Sequence, residues 1–268
     1  MNRLGIVGGG AMGSALLDGV IQAGLLKPDA IFLVETDQAK RESLQKRLGL
    51  KLCGSLGELA QECQLILLAV KPQVLPVVLE ALGSVVTPGH LLISIAAGIS
   101  LTALEKQIPQ GRFVRVMPNT PARIRRGVAA YAIGNNVTPL EVGWVEAIFG
   151  CVGQAIIVPE HLMDAVTALS GSGPAYVYYL LEALIDAGVL LGLGRDQAQT
   201  LAIETFIGAA ELLKQTGEHP AKLRSEVTSP GGTTAAAVFE LEKAGVTGIL
   251  MTAVQAAARR SAELNRMK

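Results

Sequence analysis

Apolar and polar positions along the first 120 residues fall into two alternating patterns. Compact apolar runs at residues 4–7, 30–34, 65–70, 91–95 and 113–116 are bounded by turn residues, as strands buried on both faces are. Between them, residues 11–25, 38–48, 72–83 and 101–107 read as helices. Strand and helix in alternation predict an α/β fold, a Rossmann-like doubly wound parallel sheet. A further strand–helix–strand stretch over residues 127–158 is expected to complete it.

After Pro159 the texture changes. From residue 160 to the end there is no strand pattern, only long helical runs rich in Ala, Leu and Gly. Two domains are therefore expected, residues 1–159 and residues 160–268, the second all-helical. Leu180, Leu181, Leu184 and Ile185 share one helical face, while Tyr176, Tyr178, Tyr179 and Val189 cover the others; Glu182 and Asp186 are the charges of this stretch. A helix apolar nearly all round is buried nearly all round. About 110 residues bury several such helices poorly on their own, so a subunit interface, a homodimer through these helices, is expected ahead of a monomeric bundle.

Composition narrows the class. Of 268 residues half are apolar and 17% charged, the balance of a packed globular protein. Twenty-three basic residues offset twenty-three acidic ones, which leaves no basic field for a phosphate backbone and argues against nucleic acid as a partner. Cys53, Cys63 and Cys151 form no metal or redox motif, and they read as reduced core thiols. A strand-like run begins at once and Asp18 interrupts the apolar stretch after it, so no signal peptide is expected. Charge and proline, as at Lys71-Pro72 and Pro76, break the most apolar segments, so no membrane span is expected either. The expectation is a soluble, cytoplasmic protein.

Candidate chemistry lies in a few turns. Gly8-x-Gly10-x-x-Gly13, enclosing Ala11 and Met12, follows a strand and opens a helix, the context in which this pattern binds a dinucleotide. Gly8 would permit the tight turn, Gly10 the approach of backbone to pyrophosphate, and Gly13 the packing of helix on strand. The second strand ends in Glu35-Thr36-Asp37. A carboxylate there accepts hydrogen bonds from the ribose hydroxyls and repels a 2′-phosphate, which leans towards NADH. The alternative is that Asp37 merely caps the next helix and Glu35 points into solvent. Ala69-Val70-Lys71-Pro72 ends another strand on the same rim, with Lys71 in reach of a phosphate or ribose unless it is simply a solvated lysine. Far downstream, Val227-Thr228-Ser229-Pro230-Gly231-Gly232-Thr233-Thr234 reads as a turn opening a helix, whose free N–H groups suit a small carboxylate or phosphate. Thr233 and Thr234 as plain helix caps is the competing reading. His90, His161 and His219 fall near element ends and read as surface or capping residues.

Ala69–Pro72, Met117-Pro118-Asn119-Thr120-Pro121, the run from Asp164 to Tyr176 and the segment from Val227 to Thr234 occur in this order along the chain. Together with the glycine fingerprint they resemble the pyrroline-5-carboxylate reductases, essentially end to end. The resemblance implies a Rossmann domain followed by a helical dimerisation domain, in dimers that often assemble into decamers. It also implies reduction of the cyclic imine L-1-pyrroline-5-carboxylate to L-proline by NADPH or NADH. It places the substrate carboxylate around Ser229, Gly232, Thr233 and Thr234, with the Thr234 hydroxyl facing the ring nitrogen and Glu160 nearby. Ala97, Gly98, Met117 and Asn119 would line the nicotinamide side, and Glu226 stands where some relatives carry a cofactor-touching asparagine. Glu35 departs from the small polar residue that NADPH-using relatives place at the 2′-phosphate, and no asparagine occurs around Gly54-Ser55-Leu56.

A cyclic imine is basic enough to exist partly as its iminium, so hydride addition needs placement more than a strong acid. Two rivals remain in view. A 3-hydroxyacid dehydrogenase would need a helical lysine paired with an asparagine after residue 160, and Lys214, Lys222, Lys243 and Lys268 do not provide it. A non-catalytic dinucleotide sensor would leave the anion-binding turn without a purpose.

Overall fold

The computed structural model describes residues 1–266. They pack as two compact units, one of residues 1–172 with residues 256–266, the other of residues 173–255.

The first unit carries strands β1 Leu4–Val7, β2 Ile31–Val34, β3 Lys51–Leu52, β4 Leu65–Leu68, β5 Leu91–Ser94, β6 Arg112–Met117, β7 Gly127–Ile133 and β8 Gly153–Ile157. They form one sheet in the order β3-β2-β1-β4-β5-β6-β7-β8. Its helices are α1 Ala11–Gln22, α2 Gln38–Leu48, α3 Leu56–Glu62, α4 Leu75–Gly83, α5 Leu101–Gln107, α6 Pro139–Gly150 and the single turn α7 Met163–Val166. A π-helical turn, Thr167–Gly171, follows α7.

Side chains alternate across a strand, and here both faces are apolar. Leu65, Leu67, Leu91, Ile93, Val114 and Val116 enter one core with Leu16, Leu17, Leu44 and Phe149 from α1, α2 and α6. Ile66, Leu68, Leu92 and Phe113 enter the other with Leu59, Leu79 and Leu104 from α3, α4 and α5. This double burial is why the strands read as unbroken apolar runs. Each fully buried Leu, Ile or Phe contributes about 1.5–3 kcal/mol.

Strand order reverses between β1, which continues outward to β2 and β3, and β4, which continues the other way. The carboxyl ends of β1 and β4 therefore flank a switch point, where open α/β sheets bind ligands. Both rim motifs, Gly8–Gly13 and Ala69–Pro72, start there.

Every neighbouring pair is parallel except β6 and β7, which run antiparallel. The stretch 127–158 does complete the sheet, as strand, helix and strand, but in the reverse direction. A parallel return needs a crossover of a dozen or more residues, and the link from Met117 to Gly127 holds only a short 3-10 turn, Thr120–Ile124.

The second unit is wholly helical: α8 Gly173–Leu190, α9 Arg195–Thr216, α10 Pro220–Glu226, α11 Thr233–Lys243, and the start of α12 Val246–Arg266. Helices α8 and α9 pack closely enough that a methyl group on Gly188 would lie 2.9 Å from Ala198 Cβ. The expectation that α8 is buried nearly all round is not met within one chain. No residue of α8 is buried, and Tyr179 and Leu190 are 75% and 87% exposed.

Candidate active site

The glycine cradle can be tested by asking what a side chain would meet at each position. Gly8 has φ +99°, a conformation L-residues avoid, and a Cβ there would stand 2.8 Å from the Ala69 carbonyl oxygen. At Gly13 a Cβ would collide with the Gly8 carbonyl, so α1 could not lie so close to β1. A Cβ on Gly10 would meet nothing within 4 Å. Two glycines are thus required by packing, while the third keeps space open in front of the backbone. No side chain caps α1 at Gly10, which leaves first-turn N–H groups for an anion. The residues present fit a dinucleotide pyrophosphate. Lys71, on the turn after β4, is exposed and forms no ion pair among the described residues.

Glu35, just past β2, turns inward to the cradle. Its Oε2 accepts from the Gly9 N–H at 2.6 Å and its Oε1 from the Asp37 N–H at 2.9 Å. Asp37 does cap α2, accepting from the Lys40 N–H at 3.1 Å, and that hydrogen bond lowers its pKa. On the neighbouring strand end, Ser55 caps α3 through the Glu58 N–H, and Glu58 Oε2 accepts from the Gly54 N–H at 2.6 Å. The ends of β2 and β3 thus carry two carboxylates, Glu35 and Glu58, each held by a backbone N–H, with Lys40 paired to Asp37 beside them.

On the far side of the switch point, the Ala97–Gly98 loop follows β5, and Met117 and Asn119 follow from β6. Asn119 bridges two segments: its Oδ1 accepts from the Val128 N–H at 3.0 Å and its Nδ2 donates to the Ser170 carbonyl at 3.2 Å. Glu160 Oε1 accepts from Arg115 Nη1 at 2.8 Å and from the Leu101 N–H at 3.0 Å, while its Oε2 is buried with no hydrogen-bond partner. Arg115 was missed in the sequence. A charge midway through the apolar run of β6 was the available signal, since an arginine 3% exposed has to be paired.

The turn from Ser229 to Gly232 belongs to the second unit. Gly231 takes φ +70°, the Gly232 N–H donates to the Ser229 carbonyl at 3.0 Å, and α11 starts at Thr233 without a side-chain cap. The plain-cap reading of Thr233 and Thr234 has no hydrogen bond behind it, and both hydroxyls remain available. Cofactor positions and Glu160 thus lie in one unit, Ser229 to Thr234 in the other.

Two of the three histidines serve structure. His219 caps α10 through the Ala221 N–H, as expected. His90 is not a surface residue: it is 6% exposed, with Nδ1 at 3.0 Å from the Thr87 N–H and Nε2 at 2.9 Å from the Ala60 carbonyl. The polar environment of its turn hid this burial. No helix among the described residues is long and apolar enough to cross a membrane.

Known proteins match this arrangement over its whole length. A pyrroline-5-carboxylate reductase of Synechocystis is 48% identical over 265 residues, covering 98% of both chains. The chain belongs to the pyrroline-5-carboxylate reductase family. Within it, residues 160–264 match the pyrroline-5-carboxylate reductase dimerisation model, and residues 3–98 match the coenzyme F420-dependent NADP oxidoreductase model. Solved structures of the family share the fold. That of the Coxiella burnetii enzyme superposes with TM-score 0.93 at 33% identity, covering 98% of both chains. The Plasmodium falciparum enzyme with NADP bound superposes with TM-score 0.88 at 36% identity, also covering 98% of both.

Proposed function

We propose that this chain reduces L-1-pyrroline-5-carboxylate to L-proline, the last step of proline biosynthesis, with NADH or NADPH as hydride donor. The observation that carries the reading is a dinucleotide cradle kept open at Gly10 in a chain similar end to end to pyrroline-5-carboxylate reductases. The NADP of the Plasmodium falciparum relative supports the cofactor class. The nicotinamide, when bound, supplies hydride to the imine carbon.

The chain's own residues bind and orient. Gly8, Gly10, Ala11, Met12 and Gly13 receive the pyrophosphate, with Ala69, Val70, Lys71 and Pro72 as the opposing rim. Ala97, Gly98, Met117 and Asn119 flank the nicotinamide. Glu35 meets the adenosine ribose and tilts the choice towards NADH, since its carboxylate and that of Glu58 repel a 2′-phosphate. Ser229, Gly232 and Thr233 hold the substrate carboxylate at the uncapped start of α11. Thr234 hydrogen-bonds the ring nitrogen, which carries the proton of the iminium, so no separate strong acid is needed. Glu160 is assigned to the substrate by resemblance alone; its contacts with Arg115 and Leu101 also brace the loop after Gly98.

The division at residues 159 and 160 is supported by the dimerisation match beginning at residue 160. Bare α8 supports a homodimer as the building block, with decamers as a further assembly. Three free cysteines accord with a cytoplasmic location.

The test is loss of reduced-nicotinamide absorbance on adding the imine, run with each cofactor. Rapid oxidation with formation of proline is expected. Tight dinucleotide binding without turnover would overturn the assignment in favour of a sensor.

A further inference from the structure

Behind the positions assigned to the nicotinamide, segments far apart in the chain meet at one carboxylate. Asp164 Oδ1 accepts hydrogen bonds from Ser261 Oγ and Asn265 Nδ2, both at 2.6 Å. The donors lie 97 and 101 residues downstream, on the last turns of α12, and Ser261 is 5% exposed. Those turns in the first unit also back the loop after β5. A methyl group on Gly98 would stand 3.4 Å from Leu264 Cβ and 4.0 Å from Asn265 Oδ1.

The other end of the same segment backs β6. In the π-helical turn, the Ser170 carbonyl accepts from Asn119 Nδ2 at 3.2 Å, and a methyl group on Gly171 would lie 2.5 Å from Met117 Cε. Residues 164–171 therefore touch Met117 and Asn119 directly and reach Gly98 through α12. Insertion of a π turn displaces the following residues relative to an α-helix, a device found often at functional sites. Asn265 Oδ1 is buried without a hydrogen-bond partner. Rotating the amide would turn that oxygen onto the Asp164 carboxylate, so Asp164 favours the orientation in which Asn265 is held.

We propose that Asp164 is a positioning residue for hydride transfer: by clasping Ser261 and Asn265 it fixes the wall formed by Gly98, Met117 and Asn119. Its Oδ1 is taken by Ser261 and Asn265, so it acts through them. Its effect comes through geometry, because a misplacement of about 1 Å between reacting atoms can cost about a hundredfold in rate. The inference rests on the nicotinamide assignment made above.

The test uses the full chain with Asp164→Asn and, from the other side of the clasp, the double variant Ser261→Ala with Asn265→Ala. Single-turnover oxidation is followed with reduced nicotinamide carrying hydrogen or deuterium at the transferred position, alongside cofactor titration and melting. Both variants should slow the hydride step about tenfold and change its isotope effect, with cofactor affinity altered far less. Combining all three substitutions should add little, since one clasp is removed in each case. An unchanged isotope effect in both, with activity lost only in proportion to folded protein, would reduce the clasp to a structural tie and overturn the proposal. Met117→Ala is measured in parallel. No change there means the nicotinamide lies elsewhere, and the clasp's route of action falls with that assignment. A change there but not at Asp164 overturns the clasp alone.

Discussion

The proposed cofactor choice turns on a single side chain, Glu35. Its two oxygens are already engaged by the Gly9 and Asp37 N–H groups, so the carboxylate is held at the rim rather than free to swing away from a 2′-phosphate. Replacing Glu35 with Ser removes that charge and should shift the ratio of kcat/KM towards NADPH by about tenfold, equivalent to about 1.4 kcal/mol. Parallel kinetics with the two cofactors check it, and an unmoved ratio removes Glu35 from the choice. Thr234 poses a narrower question. Thr234→Ala removes one hydroxyl at the uncapped start of α11, and turnover should fall about tenfold or more while cofactor affinity, measured by titration, stays put. A normal rate would take Thr234 out of the mechanism. The buried thiols predict a pH effect. Burial pushes Cys63 up to about 12 and Cys53 to about 11, against an ordinary value of 9.0. The folded chain thus keeps protons that the unfolded chain releases. Stability from this source is complete below pH 9.0 and declines as pH rises from there towards 11 to 12. Melting followed across that range should show the decline, and Cys63→Ala should flatten it.

At the scale of elements, two glycines of the cradle make separable predictions. Gly13→Ala drives a methyl group onto the Gly8 carbonyl, so it should cost about 1–3 kcal/mol of stability and weaken cofactor binding together. Gly10→Ala enters open space, so melting should be unchanged while cofactor affinity falls. Chemical denaturation and cofactor titration on the two variants would distinguish a packing glycine from a ligand-approach glycine. The tight turn at Gly8 and the close packing at Gly13 were legible in the sequence because the strand–turn–helix context is local, although the Ala69 carbonyl that a Cβ on Gly8 would meet is not. Helices 38–48 and 101–107 were legible for the same reason: Asp37 and Ser100 cap their starts, and Gly49 ends α2 at φ +69°. The helix read over 11–25 stops at Gln22, with Gly24 beyond it at φ +67°, and residues 72–74 form a turn before α4. Strand β3 has two residues and shows no period, and the reversal of β7 follows from connection length rather than from strand composition. What stayed hidden is what couples distant residues. Nothing local in Asp164 announces Ser261 or Asn265, and nothing in Glu160 announces Arg115, although the pair holds together β6, the start of α5 and the turn after β8.

At the scale of the molecule, the two units differ in how their folding is sustained. The sheet unit has two apolar cores, one on each face. Among residues 173–255 only Ala198 and Ala202 are buried, although long helices are ordered throughout. Ordering a backbone costs about 1–2 kcal/mol per residue, which two alanines cannot offset. The missing burial has to come from outside the chain. Tyr178, Tyr179, Leu184 and Leu190 of α8 stand ready for it, large and exposed. A second copy of the same helices would account for their composition, because an isologous contact lets one apolar surface cover itself. Tyr179→Glu would place a charge in that contact. Losing a central aromatic anchor typically costs about 2 kcal/mol or more, so the variant should dissociate at concentrations where the parent remains assembled. Sedimentation over a dilution series reads this directly, and unfolding should become concentration-dependent in the same window. If the parent sediments as a monomer at every concentration while melting cooperatively, α8 is not an interface, and the stability of the helical unit needs another source.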